Sequence, residues 1–200
     1  MNGVALLSGN ADTVVINRRE AARYLGLQTV PDADVLALFD QCEKELRAVA
    51  VPRACYAKTS VAVAGDCVHF DFCTVESAAL AKNLSGCKSA FVFAATLGLG
   101  VDRMLLRLKK VDTAKAAVVD ALSSAAVEGW CNEVNENLSR GRTTCPRFSP
   151  GYGGVALTHQ RDVISFLDAQ RKLGITLSDR CFMTPVKSVT AFIGIKEETV

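Results

Sequence analysis

The feature that most constrains this chain is a helical stretch running from Asp112 to about Leu138, long and rich in alanine. Alanine is the best intrinsic helix former, and its short side chain lets a helix lie close against a sheet. Asp120, Ser124 and Glu128 recur every four residues along this stretch, so three polar groups line up on one face of an otherwise apolar element. The stripe has two readings. It meets solvent, or, because Ala117, Ala121, Ala125 and Ala126 surround it, it lies on a partly buried face with Glu128 available to a ligand. Such a helix needs a core to cover, and 200 residues, half of them hydrophobic, can build one without metals or disulfides.

The remaining elements follow from changes of period. Asn17 with Glu20 three residues on has the form of a capping box, and Ala21, Ala22, Tyr24 and Leu25 carry a short helix stopped by Gly26. A second helix follows Pro31, with Val35, Leu38, Phe39, Cys42, Leu46 and Val49 at core-facing spacing. From Cys55 to Phe72 the period is two. Val61 and Val63, then Val68, Phe70 and Phe72, alternate about Ala64-Gly65-Asp66 and predict an antiparallel hairpin with His69 on the outer face.

Thr74 is expected to cap a helix through Leu84, and Ser89 to Ala95 to form an apolar strand. Thr96-Leu97-Gly98-Leu99-Gly100 then leads into a helix over 101–108. Its glycines suit a phosphate loop or a close strand-to-helix packing turn; Arg103 stands where a third glycine would complete the dinucleotide pattern, which favours packing. Thr158 is expected to cap a helix from His159 to about Leu173, with Val163, Ile164, Phe166 and Leu167 facing the core and Gly174 ending it. Residues 183–194 turn into a final strand. These blocks predict an α+β fold, a mixed, largely antiparallel twisted sheet flanked by helices. One domain is expected over 1–200, with a helical region at 1–50 and the sheet and ligand loop at 51–200.

The segment Arg147-Phe148-Ser149-Pro150-Gly151-Tyr152-Gly153-Gly154 sets a cation, a phenol and three glycines within eight residues. Glycines at positive φ bring backbone groups close to a bound molecule, an arginine fork matches a carboxylate, and a tyrosine adds a flat face with a polar tip. By composition alone the same segment is also an ordinary tight turn, since Pro-Gly is a common turn dipeptide.

Several functions are excluded or disfavoured. A net charge of +2 from 23 basic and 21 acidic residues mixed along the chain gives no electrostatic argument for nucleic acid. The four-residue apolar run Val4 to Leu7 lacks a basic flank, and the longest apolar run, Ala90 to about Val101, is roughly half a membrane span. The expected location is therefore the cytoplasm, with no membrane partner. Eight cysteines raise the reading of a thiol redox or metal protein. None forms a C-x-x-C pair, and with His69 and His159 the only histidines a metal site would need ligands from distant elements, so no metal site is expected. Buried reduced thiols are the expected role, with Cys145 the one to examine for reactivity.

Arg147-Phe148-Ser149-Pro150-Gly151-Tyr152, Leu157, Gln160, Leu167, Leu173-Gly174-Ile175-Thr176-Leu177 and Met183-x-Pro185-x-Lys187-Ser188-Val189 resemble the S-adenosylmethionine-binding activation domain of cobalamin-dependent methionine synthase. The segments Asn17 to Gly26 and Ala95 to Gly98 extend the likeness to short stand-alone proteins related to that domain. The resemblance implies S-adenosylmethionine as ligand. Arg147 would pair with its carboxylate, Ser149 would offer backbone contacts, and Gly151, Tyr152 and Gly153 would lie at the reactive end, with Tyr152 where the methyl group meets the corrin. It also implies a ligand contact from a glutamate on the preceding helix; alignment sets that position nearer Ser124 than Glu128, one turn away.

The resemblance further implies cobalamin held by a partner, either a corrinoid protein or a methionine synthase lacking its own activation domain. Reduction would come from an electron donor such as flavodoxin or ferredoxin. The chain would thus support reductive methylation as a component of a methyltransferase system. The alternative is a non-enzymatic adaptor of the same fold that docks on a corrinoid protein without the methyl donor. The family's contacts from an N-terminal aspartate and from a tyrosine after the last strand have no match here. Positioning chemistry of this kind needs no nucleophile-base pair and no metal, and the sequence offers neither.

Overall fold

In a computed structural model of the protein, residues 3–27 and 33–198 are described. Strand β1 (Ala5–Ser8) precedes helices α1 (Arg18–Tyr24) and α2 (Ala33–Val49), and then β2 (Arg53–Ala64), β3 (Cys67–Phe70) and β4 (Thr74–Glu76) follow. Helix α3 (Ala78–Asn83), strand β5 (Ser89–Thr96) and helices α4 (Leu99–Val111) and α5 (Thr113–Ser139) come next, then β6 (Arg142–Thr144). A 3-10 turn (Leu157–His159) leads into α6 (Gln160–Phe166) and α7 (Ala169–Leu173), and the chain ends on β7 (Thr176–Leu177), β8 (Met183–Thr184) and β9 (Ser188–Glu198).

Seven strands form one sheet in the order β4-β3-β2-β5-β9-β6, with β1 on the same edge of β2 as β3. Every described pairing is antiparallel. The fold is the expected α+β arrangement, a largely antiparallel sheet flanked by helices. β5 is central and its alternation serves two cores at once: Phe91, Phe93 and Ala95 face α1, α2, α4 and α5, whereas Ala90, Val92 and Ala94 face α3, α6 and α7. That double burial is why β5 reads as a continuous apolar run.

Local chemistry explains most boundaries. Asn17 caps α1, its side chain accepting from the Arg19 and Glu20 amides, and Asp112 caps α5 through the Lys115 amide. The hairpin about Ala64-Gly65-Asp66 forms with Val61 opposite Phe70, and His69 is exposed. Phe39, Cys42 and Leu46 of α2 are buried as expected; Pro31 lies outside the described residues. The Gly98 to Gly100 turn is a packing device. A Cβ on Gly100 would sit 2.2 Å from the Val49 carbonyl oxygen, so α4 could not approach the end of α2 with any other residue there.

Two expectations need correction, and one strand was not expected. Thr74 does not cap a helix: it starts β4, which pairs with β3, and Ser77 caps α3 by accepting from the Leu80 amide. Thr158 lies inside the 3-10 turn, and the expected single helix to Leu173 is two, broken at Asp168 with φ +51°. The apolar run Val4 to Leu7 overlaps β1, a third neighbour of β2 beside β3 and β5, since Leu6 pairs with Cys55. A strand of four residues with alternating burial is too short for its period to stand out.

Helix α5 owes its position to one glycine and one indole. Gly129 lets the helix touch the backbone of Val15, and Trp130 Nε1 donates to the Arg53 carbonyl on β2 at 3.1 Å. No helix among the described residues is long and apolar enough to cross a membrane.

Candidate functional site

The glycine-bearing loop grows out of the sheet edge. After β6 the chain keeps alongside β9: the Cys145 amide donates to the Gly194 carbonyl, and Phe148 and Phe192 exchange both backbone hydrogen bonds, at 2.9 and 2.8 Å. Extended backbone sends neighbouring side chains to opposite faces. Phe148 accordingly packs on the core beneath α3 and α6, and Arg147 reaches α5 on the other side.

Arg147 meets the polar stripe there. Its Nη2 lies 2.5 Å from Glu128 Oε2 and its Nη1 donates to Asn132 Oδ1 at 3.3 Å. The arginine side chain is 18% exposed and the glutamate 41%, so the pair sits at the rim of the fold with one side open. Asn132, which sequence reasoning missed, continues the Asp120, Ser124, Glu128 spacing by one more turn, and that periodicity was the signal for it. Tyr24 at the end of α1 is within reach of the Glu128 charge; its hydroxyl pKa is raised, first by burial and then by Glu20 and Glu128.

The other end of the stripe is also occupied. Lys187 Nζ lies 2.9 Å from Asp120 Oδ1, donates to Ser124 Oγ at 2.8 Å and reaches the Asp120 carbonyl at 3.2 Å. The stripe is therefore a partly buried face that binds two cations, Lys187 and Arg147. Lys187→Ala is expected to lower the unfolding free energy by about 2 kcal/mol, the range for hydrogen bonds to charged groups, read from urea denaturation. Lys187→Met, which keeps the stem but not the ammonium, should recover little of that loss.

Within the loop, Gly151, Gly153 and Gly154 have φ of +91°, +54° and +82°. The Gly151 amide donates to the Val155 carbonyl and the Val155 amide to the Tyr152 carbonyl, both at 2.9 Å, while the Tyr152 amide donates to Ser149 at 3.3 Å. Ser77 Oγ donates to the Gly153 carbonyl at 2.7 Å and Asn83 Nδ2 to the Pro146 carbonyl at 3.2 Å, so α3 holds the loop from below. Pro150 is buried, Ser149 half-buried, and Tyr152 projects outward at 73% exposure. The fold thus joins Arg147 and Glu128 directly and sets Ser149, Gly151, Tyr152 and Gly153 in the adjoining loop.

The cysteines behave as packed thiols. All eight are free and all but Cys67 and Cys73 are buried. Burial pushes the Cys55, Cys73 and Cys131 thiols up to about 12 and Cys87 to about 11, so that in the absence of a bound cation these thiols stay protonated at neutral pH. Cys145 is buried with its sulfur 3.4 Å from that of Cys87, and Gly194 leaves the room both occupy.

No protein-family model and no curated protein matches the chain. Among solved structures the chain is similar to a crystal structure of the MetH reactivation domain bound to AdoHcy. The TM-score is 0.74 at 15% sequence identity, over 96% of this chain and 78% of that one.

Proposed function

We propose that this chain binds S-adenosylmethionine and supports reductive methylation of cobalamin held by a partner protein. The observation that carries the reading is the Arg147–Glu128 ion pair at the open rim beside three positive-φ glycines, on a fold like that of a reactivation domain. An amino-acid zwitterion is the natural complement of that pair. Its carboxylate takes the arginine fork and its ammonium the glutamate, so each charge keeps an opposite neighbour when the ligand arrives. The residues present therefore fit the methionyl end of the ligand.

In this reading Arg147 holds the carboxylate and Glu128 the ammonium. Ser149, Gly151 and Gly153 present backbone groups, and Tyr152 offers its exposed ring at the reactive end. S-adenosylmethionine supplies an activated methyl group, and the reduced cobalt of a corrinoid on the partner is its acceptor. The chain's own residues bind, orient and exclude water, and no proton need move. A corrinoid protein or a methionine synthase without its activation domain is the partner, and a flavodoxin or ferredoxin the reductant. The adaptor reading is favoured by one observation, that Glu128 and Asn132 already engage the guanidinium.

Equilibrium dialysis against labelled S-adenosylmethionine separates the two. Retention at millimolar ligand or below is expected; none, together with co-purification of a cobalamin protein, selects the adaptor. Glu128→Gln sharpens the comparison. If the glutamate holds the ammonium, affinity falls about tenfold, the loss of roughly 1.4 kcal/mol in a charged contact. Affinity that rises instead marks Glu128 as a competitor for Arg147 and removes the zwitterion arrangement.

A further inference from the structure

We propose that Cys73, His159 and Asp162 form a binding site for a divalent cation of the zinc class, with three protein ligands and a fourth position for water. One ligand atom from each residue lies within 4.8 Å of the other two. Thiolate sulfur, imidazole nitrogen and carboxylate oxygen are the three donors that zinc accepts, and three of them with one open position is its usual arrangement away from purely structural sites. A thiolate in the set disfavours magnesium and calcium, which take oxygen ligands.

His159 and Asp162 stand three residues apart, but their third partner, Cys73, comes from a distant segment, and packing brings it to them. Cys73 sits at the turn between β3 and β4, His159 ends the 3-10 turn and Asp162 lies on α6. Phe72, next to Cys73, stacks on Phe166 of α6 with ring centroids 4.2 Å apart, which fixes the turn against that helix. His159 Nδ1 lies 2.8 Å from Asp162 Oδ2, so two of the three donor groups already converge, and an ion held by both would take the place of that contact. All three side chains are half-buried, close enough to the surface for an ion to enter. An ion there would cross-link the β3–β4 turn to the segment that follows the Arg147 loop.

This site does not depend on S-adenosylmethionine binding. The test is anaerobic titration of the metal-depleted full chain with Co2+, followed by Zn2+ in competition. A sulfur-to-cobalt charge-transfer band that saturates at one equivalent and is bleached by Zn2+ is expected, as is a higher melting temperature with Zn2+. Cys73→Ser should abolish the band. Asp162→Asn, at a carboxylate 42% exposed and thus safe for folding, should weaken Co2+ binding about tenfold or more. No band at stoichiometric cobalt, or a band that survives Cys73→Ser, overturns the proposal. So does an Asp162→Asn titration that superimposes on that of the parent. Dialysis with S-adenosylmethionine on the same samples keeps failure of this site distinct from failure of the ligand loop.

Discussion

Arg147→Ala is expected to weaken S-adenosylmethionine binding by about 30-fold or more, a loss of roughly 2 kcal/mol or above, measured by calorimetric titration. The truncation removes the fork that receives the carboxylate, while Glu128 keeps its contact with the ammonium, so the loss is that of the charged carboxylate contact. Stability should change far less, by about 1 kcal/mol or below, because Glu128 is solvated at the rim once its partner is gone. This split between binding and folding distinguishes a ligand contact from a structural ion pair. Arg147→Lys should fall between, since it restores the charge but not the planar two-pronged geometry. Unchanged affinity in Arg147→Ala would mean that any ligand binds elsewhere.

The largest effect on stability is expected from Gly129→Ala. Alanine is a better helix former than glycine by about 1 kcal/mol, so on propensity alone the change would stabilise α5. Packing reverses the sign. The new Cβ would lie 1.9 Å from the Val15 carbonyl oxygen and 3.0 Å from its carbonyl carbon, and backbone offers no flexible end that could move aside. Either the segment at Val14 and Val15 or the helix must shift, and a net loss of about 3 kcal/mol is expected from overpacking of this kind, read as a lower urea midpoint. A neutral result would show that the 14–15 segment is loosely held.

These cases indicate what could be read ahead of the fold. A period of two sufficed for the hairpin, an unbroken apolar run for β5 and alanine content for the long helix, because each is a property of the local sequence. The Arg147 loop was legible as a concentration of special residues, and the polar stripe as a spacing. What the stripe is for was not, because Lys187 and Arg147 reach it from the bend before β9 and the loop after β6. Thr74 and Thr158 misled for a related reason: a threonine before an apolar run looks like a cap, and only the pairing of β4 with β3 at Thr74 and the 3-10 turn at Thr158 show the backbone committed to something else. The approach of Cys73 to His159 and Asp162 was illegible because the Phe72–Phe166 stack that brings its turn against α6 is itself a tertiary event.

The Ser77 hydroxyl accepts from the Leu80 amide and donates to the Gly153 carbonyl, so one oxygen closes a helix and pins a loop. Local opening then has no cheap route: releasing the loop strips α3 of its cap, and fraying α3 frees the loop. The two segments should share one opening free energy and behave as a single cooperative unit, anchored in turn by Leu80 and Leu84 in the core below. The candidate site is in this sense preset, its shape maintained by a helix that need never touch the ligand.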